Sequence, residues 1–272
     1  MAIATWAALK TLVALAPPII WTKSSISLPT SGRQARWSSQ TLRAGTPAAQ
    51  TAPTTSAALS YSTDPGWSME HPVAASGTIY CIGIDHGYRS GRWPKCLVVD
   101  RLVHQGGIVM NITSSQTTNL PTAALPSRAT GGAGVQIGLQ VYTAGGSTDT
   151  TITVTYTNQA GTGSRTAVIY ITTNSMDINQ FFIPSLQNGD TGVRSVESII
   201  FSASTGTAGN MGIVLFKPLI LSSPAPGTGL ADWETMIGWN MGIADEAVLD
   251  VLPDEFVGFS TRGTHSFKFA EA

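Results

Sequence analysis

Charge is scarce in this chain. Lys and Arg number 15 and Asp and Glu 16 among 272 residues, 11% of the total, against about 25% in an ordinary globular domain. A folded chain of this mass exposes on the order of 11,000 Å² of surface, so much of that surface is uncharged. Cysteine is nearly absent. Cys81 and Cys96 lie on what read as neighbouring strands, where buried thiols are expected over a bridge, and no CxxC or Cys/His spacing supports structural zinc. Apolar runs are short: Pro17 and Pro18 interrupt the one candidate of about 18 residues, so no membrane-spanning helix is expected. The start, "MAIATWAALKTLVALAPPII", has neither a basic opening nor a small-residue cleavage site, so no signal peptide is expected. The tripeptide "NIT" at Asn111–Thr113 fits a glycosylation acceptor but has no secretion signal beside it. Glycosylation, a membrane, or cover by protein partners would each explain a neutral surface. The last agrees best with these absences.

What the chain has instead is alternation. In "TITVTYTNQAGTGSRTAVIYI", threonine from Thr151 to Thr157 alternates with Ile152, Val154 and Tyr156, placing apolar side chains on one face of a strand and hydroxyls on the other. A turn around Gly161 and Gly163 leads to a second β-branched run, Thr166–Ile171, which makes a hairpin. Further strands are expected near 78–84, 96–102, 135–142, 195–203, 212–221 and 247–252. A helix is expected near 231–242, where Trp233, Met236 and Ile237 form one stripe. The ending "FVGFSTRGTHSFKFA" reads as a closing hairpin with Phe256, Phe259, Phe267 and Phe269 as aromatic pairs. Eight to ten antiparallel strands at this spacing predict a mainly β fold: an antiparallel, jelly-roll-like β-sandwich over 76–272.

Residues 1–75 differ. An amphipathic start over 5–15 carries Trp6, Leu9, Leu12 and Val13, and a Ser/Thr/Ala/Pro-rich stretch without sustained period follows. This segment reads as a short helix and an extended arm that orders on docking. It holds five basic residues up to Ser60, Lys10, Lys23, Arg33, Arg36 and Arg43, and no acidic one. From Thr228 onward eight acidic residues face only Arg262 and Lys268. Head-to-tail contact between copies and two independently solvated segments both fit that asymmetry. Lys10, Lys23, Arg33, Arg36, Trp37 and Arg43 are therefore the arm's candidate partner-binding residues. Nucleic acid is not the expected partner, because five cations over sixty residues without an aromatic ladder is a weak signature.

No constellation demands catalysis. In "GIDHGYRSGRW", Asp85 and His86 are adjacent, and neighbours on a strand point to opposite faces, so Asp85 does not orient His86 as a triad requires. The loop's Tyr88, Arg89, Arg92 and Trp93 are candidate intersubunit contacts instead. His71, His104 and His265 are isolated, and Asp250, Asp254 and Glu255 lack an EF-hand pattern. The glycine turns at 130–134 and 206–210 lack the lysine of a P-loop. Trp67, Tyr88, Trp93 and Trp239 offer stacking faces for a carbohydrate-binding reading. No enzyme activity, metal or cofactor is expected.

Four segments carry a resemblance: "VVDRLVHQGGI" at 98–108, "VYTAGGSTDTTITVTYTNQAGTGSRTA" at 141–167, "FFIPSLQNGDTGVRSVESIIFSASTGTAGNMGIVLFKPL" at 181–219, and the ending from Leu252. Together they resemble a family of tailed-bacteriophage virion structural proteins. The resemblance implies a virion component with no catalytic residues, assembled in the host cytoplasm. Its expected partners are other virion proteins and further copies of itself, as a trimer. A capsid decoration or cement role leads, with a tail or neck ring as the alternative. The sequence departs from the family pattern at "CIGIDHGYRSGRWPKC".

Overall fold

The computed structural model describes residues 19–27, 37–54, 56–88, 95–120, 125–172, 176–222, 242–253 and 260–271. Sixteen strands fall within them: β1 (Ile19–Ser27), β2 (Trp37–Ser38), β3 (Gly45–Thr46), β4 (Ala57–Ala58), β5 (Ile79–Tyr88), β6 (Cys96–Ile108), β7 (Gln116–Leu120) and β8 (Gln136–Thr143), then β9 (Thr150–Asn158), β10 (Arg165–Ile171), β11 (Gln180–Phe182), β12 (Val193–Phe201), β13 (Asn210–Ser222), β14 (Gly242–Ile243), β15 (Leu249–Pro253) and β16 (Ser260–Glu271). All strand pairings are antiparallel, and the fold is mainly β, as the alternating runs predict.

The strands form three sheets. One has four strands in the order β10-β9-β12-β7, one has five in the order β14-β5-β16-β1-β3, and one runs β15-β6-β13-β8-β11-β2, with β4 also paired to β6. The first packs on the third as a sandwich. Ile152, Val154 and Tyr156 of β9 and Val196 and Ile199 of β12 meet Ile137, Leu139 and Val141 of β8 and Ile213 and Leu215 of β13 in one core. The thirteen-residue strands β6 and β13 outrun this core. Their far ends, Cys96, Val98 and Ile220, pack with Ile79, Phe267 and Phe269 of the five-stranded sheet in a second core. Alternate residues Val99, Val214 and Phe216 turn to the opposite face, where Phe181 and Leu252 complete a third.

Residues 37–41 lie on that third face, and described parts of residues 1–75, which read as an extended arm, pair with strands of the sheets. β1 pairs along β16, β2 with β11 and β4 with β6. Ser38, Ser39, Gln40 and Thr41 are buried. The stretch has the composition of a disordered segment because it brings few large apolar side chains. Its hydroxyls and amides are used to satisfy polar groups of the sheet beneath.

The expected C-terminal hairpin falls partly outside the described residues; Ser260–Glu271 is one strand between β5 and β1, with Phe267 and Phe269 stacked at 6.3 Å. Phe256 and Phe259 lie outside the described residues, as does the helix expected at 231–242 except Gly242, which opens β14. Cys81 and Cys96 are buried thiols that are not bonded to each other. Among the described residues no helix is long and apolar enough to cross a membrane.

Candidate functional site

The period-two pattern of β9 sorts its side chains between core and surface. Ile152, Val154 and Tyr156 are fully buried, while Thr151, Thr153, Thr155 and Thr157 lie half-buried on the outside. Register extends this pattern across the sheet. Thr166 of β10 stands opposite Thr155, which stands opposite Ser198 of β12; Val168 stands opposite Thr153, which stands opposite Ile200; Tyr170 stands opposite Thr151. Val168, Tyr170 and Ile200 are 49%, 52% and 39% exposed. The outer face is thus a band of hydroxyls crossed by an apolar row.

Charge flanks it, with Asp149 beyond one end and the exposed Arg194 and Glu197 in the first half of β12. At one end the Tyr170 hydroxyl donates to Asp149 Oδ2 at 2.7 Å. At the other Glu197 Oε1 accepts from Thr157 Oγ1 at 2.8 Å and Ser195 Oγ at 2.6 Å. Between them β9, β10 and β12 present no carboxylate, amine or guanidinium on this face. Such a face loses water to a partner without leaving an ion unpaired.

The motif "LQNGDTGVRSVESI" lies beside this face and has an internal task. Asp190 accepts from Arg165 Nε at 2.8 Å, Tyr156 OH at 2.5 Å and Asn158 Nδ2 at 2.7 Å. Its carboxyl is held down to about 2, first by the Arg165 hydrogen bond. A carboxylate so saturated with donors is a clasp and makes a poor general base. Gly132, at φ 74°, abuts the start of β12 so closely that a Cβ there would lie 2.2 Å from Val193 O.

Sequence reasoning missed a buried polar cluster on the third face. Arg101 Nη1 donates to Asp250 Oδ2 at 2.8 Å and Ser39 Oγ at 3.4 Å, and its Nη2 to Gln140 Oε1 at 2.8 Å. Neither charged side chain is exposed. Burial pushes the neighbouring Tyr142 hydroxyl up to about 12. The available signal was a charge at an inward position of each apolar run, Arg101 in "VVDRLV" and Asp250 in "VLDVLP". A cluster closed to solvent braces the fold and gives no access to a substrate.

The arm candidates that are described take part in this interior. Lys23 is fully buried, and its Nζ donates to Pro47 O at 2.6 Å and Arg43 O at 3.1 Å. Burial lowers it to about 8, with Asp250 partly offsetting. Burial also lowers Arg43, whose Nε and Nη2 lie 2.7 and 3.0 Å from the Asn179 amide oxygen in its hydrogen-bonding orientation. Trp37 packs half-buried on the third core. Lys23, Arg43 and Trp37, which read as partner-binding residues of an arm, thus make contacts within the molecule. Lys10, Arg33 and Arg36 lie outside the described residues, as do Arg89, Arg92 and Trp93. Of Tyr88 only the backbone is placed, opposite Gly263.

Trp67 is likewise committed inward, its ring face 5.2 Å from Arg101 Cζ and its ring 4.5 Å from that of His104. A cleft of about 240 Å³ lined by Ile19, Pro47, Tyr61, Pro65 and Glu70 holds one carboxylate and no nucleophile paired with a base. Among the described residues no three His, Cys, Asp or Glu side chains converge as metal ligands. Comparison with known proteins finds no matching family model, no matching curated protein and no matching solved structure.

Proposed function

We propose that this chain is a structural component of a tailed-bacteriophage virion that binds neighbouring virion proteins through the outer face of β9, β10 and β12. The observation that carries the binding surface is the uncharged hydroxyl band crossed by Val168, Thr153 and Ile200. The virion context rests on the resemblance of "LQNGDTGVRSVESI" and the three other segments. Capsid decoration is the leading role and a tail or neck ring the alternative. Two strands of nine residues and one of seven, about 4.8 Å apart, offer on the order of 400 Å², less than the roughly 800 Å² per partner of a standard interface. One such contact is weak, and an array of copies on a lattice makes it strong through avidity.

The test is occupancy on purified particles. Thr153→Lys and Ile200→Glu place charge in the middle of the band without touching a core. Both are expected to keep the wild-type melting temperature and to lose at least tenfold in occupancy. Unchanged occupancy overturns the surface. Copy number separates the two locations, hundreds for a shell and six or twelve for a collar. Deleting residues 1–60 is not a useful test, since it removes β1 to β4 and with them the cover of the central sheet.

A further inference from the structure

Between β4 and β5 the chain crosses one edge of β6 as a strap. Ala57 and Ala58 pair with His104 and Val103. Leu59 N donates to Leu102 O at 2.8 Å, Tyr61 N to Glu246 O at 3.2 Å and Met69 N to Leu249 O at 2.8 Å. Leu59 and Met69 are each 1% exposed. At the middle of this strap, the 3-10 turn Pro65–Trp67 lays its tryptophan over β6.

His104 is caught beneath that tryptophan. It is 4% exposed, and its Nδ1 has no hydrogen-bond partner. The two rings meet at 73° with centroids 4.5 Å apart. The charged group facing His104 is Arg101, three residues earlier on the same strand, whose Cζ lies over the same indole at 5.2 Å. β13 places Val214 opposite and β4 places Ala57, neither of which titrates. Asp250 on β15 is engaged through Oδ2 by Arg101 and Ser39.

We propose that residues 57–71 are an acid-released strap, which protonation of His104 beneath Trp67 expels from the edge of β6. A neutral imidazole packs in this site as an aromatic ring. A protonated one is a second cation beside Arg101, while Asp250, whose Oδ1 has no hydrogen-bond partner, is already paired with that guanidinium through Oδ2. The indole face already holds Arg101, and a buried like charge costs more than a shared cation–π contact returns. Burial first, and Arg101 second, lower the closed-state ring to about 3. In the released strap the ring meets water and titrates near its ordinary value of about 6.5. Each pH unit below that value therefore raises the released population about tenfold.

The far end of the strap is anchored by a second histidine. Both ring nitrogens of His71 face carbonyl oxygens, Pro72 O at 3.0 Å and Ala247 O at 2.8 Å. Glu246, which accepts from Ser60 and Ser62, and Asp64, which accepts from Ser60 N, fasten the near end, and the Ser60 hydrogen bond first of all holds the Glu246 carboxyl below its usual range. Release bares Leu59 and Met69 and frees the Val103–His104 edge of β6 to pair with another strand.

Amide hydrogen exchange of the full chain, corrected for intrinsic rates, tests this. Between pH 6.5 and 4.5 the amides of Leu59, Tyr61 and Met69 are expected to lose protection about fiftyfold, while those of Thr153 and Val154 in β9 keep theirs. His104→Gln is expected to abolish the pH dependence. Should that variant fail to fold, the wild-type His104 ring is followed by NMR and is expected to titrate only as the strap opens. Strap protection independent of pH, a parallel loss in β9, a variant that keeps the pH dependence, or a ring titrating near 6.5 under a closed strap each overturns the proposal.

Discussion

The guanidinium of Arg101 and the carboxylate of Asp250 meet at 2.8 Å across the join between β6 and β15, and neither side chain reaches solvent. Ser39 from the N-terminal cover and Gln140 from β8 complete the contact. The pair thus ties four parts of the chain at one point. Removing one partner leaves a bare charge in a dry site, which costs about 3–5 kcal/mol.

Asp250→Asn is expected to lower stability by about that amount in urea unfolding at pH 7. Joining Arg101→Met to Asp250→Leu is expected to recover much of the loss, since no charge then stays buried alone. A double variant as unstable as the single one would show that the site depends on its hydrogen bonds more than on charge compensation.

Lys23 makes stability depend on pH in the alkaline range. Its folded value of about 8 lies below the ordinary lysine value of 10.5, so between these values the unfolded chain binds the extra proton and stability rises with pH. The stability difference between wild type and Lys23→Met is expected to shift in favour of wild type from pH 8 to 10.5. The tyrosines that titrate in the same range cancel in that difference. A gap that stays constant with pH would remove Lys23 as its source.

Asp190 acts at the acid end. Its carboxyl is held to about 2 in the fold against an ordinary 3.8, so its stabilisation is complete above pH 4 and lost as pH falls toward 2. Asp190→Asn is expected to melt below wild type at neutral pH and to converge with it in acid, as read by melting temperature across pH 2–6. Arg165→Met is expected to reproduce part of that convergence, because its guanidinium is the first cause of the depression.

The strands that alternate most regularly were the most legible. β9 and β10 read correctly from Thr151–Thr157 and Thr166–Ile171, because a pleated strand with one wet face displays its inward residues at every second position. β8 and β13 were legible for a different reason, as short apolar runs buried on both faces. Two-residue strands such as β2, β3 and β4 leave no period to read, and their pairing depends on what lies opposite. The candidate surface was half visible: the threonines of β9 were plain, but Val168 and Ile200 join them only through register.

Sequence alone thus determined the class of fold and the sparse charge of its exterior, since both follow from local alternation and composition. Tertiary structure decided how the few charges were spent. Arg101 and Asp250 are 149 residues apart, and Ser39 lies 211 residues from the carboxylate it binds. Lys23, which reads as a cation of an exposed arm, instead closes a loop inside the molecule. Contacts over such separations leave no local pattern, because each residue is compatible with its own strand whether or not its partner arrives.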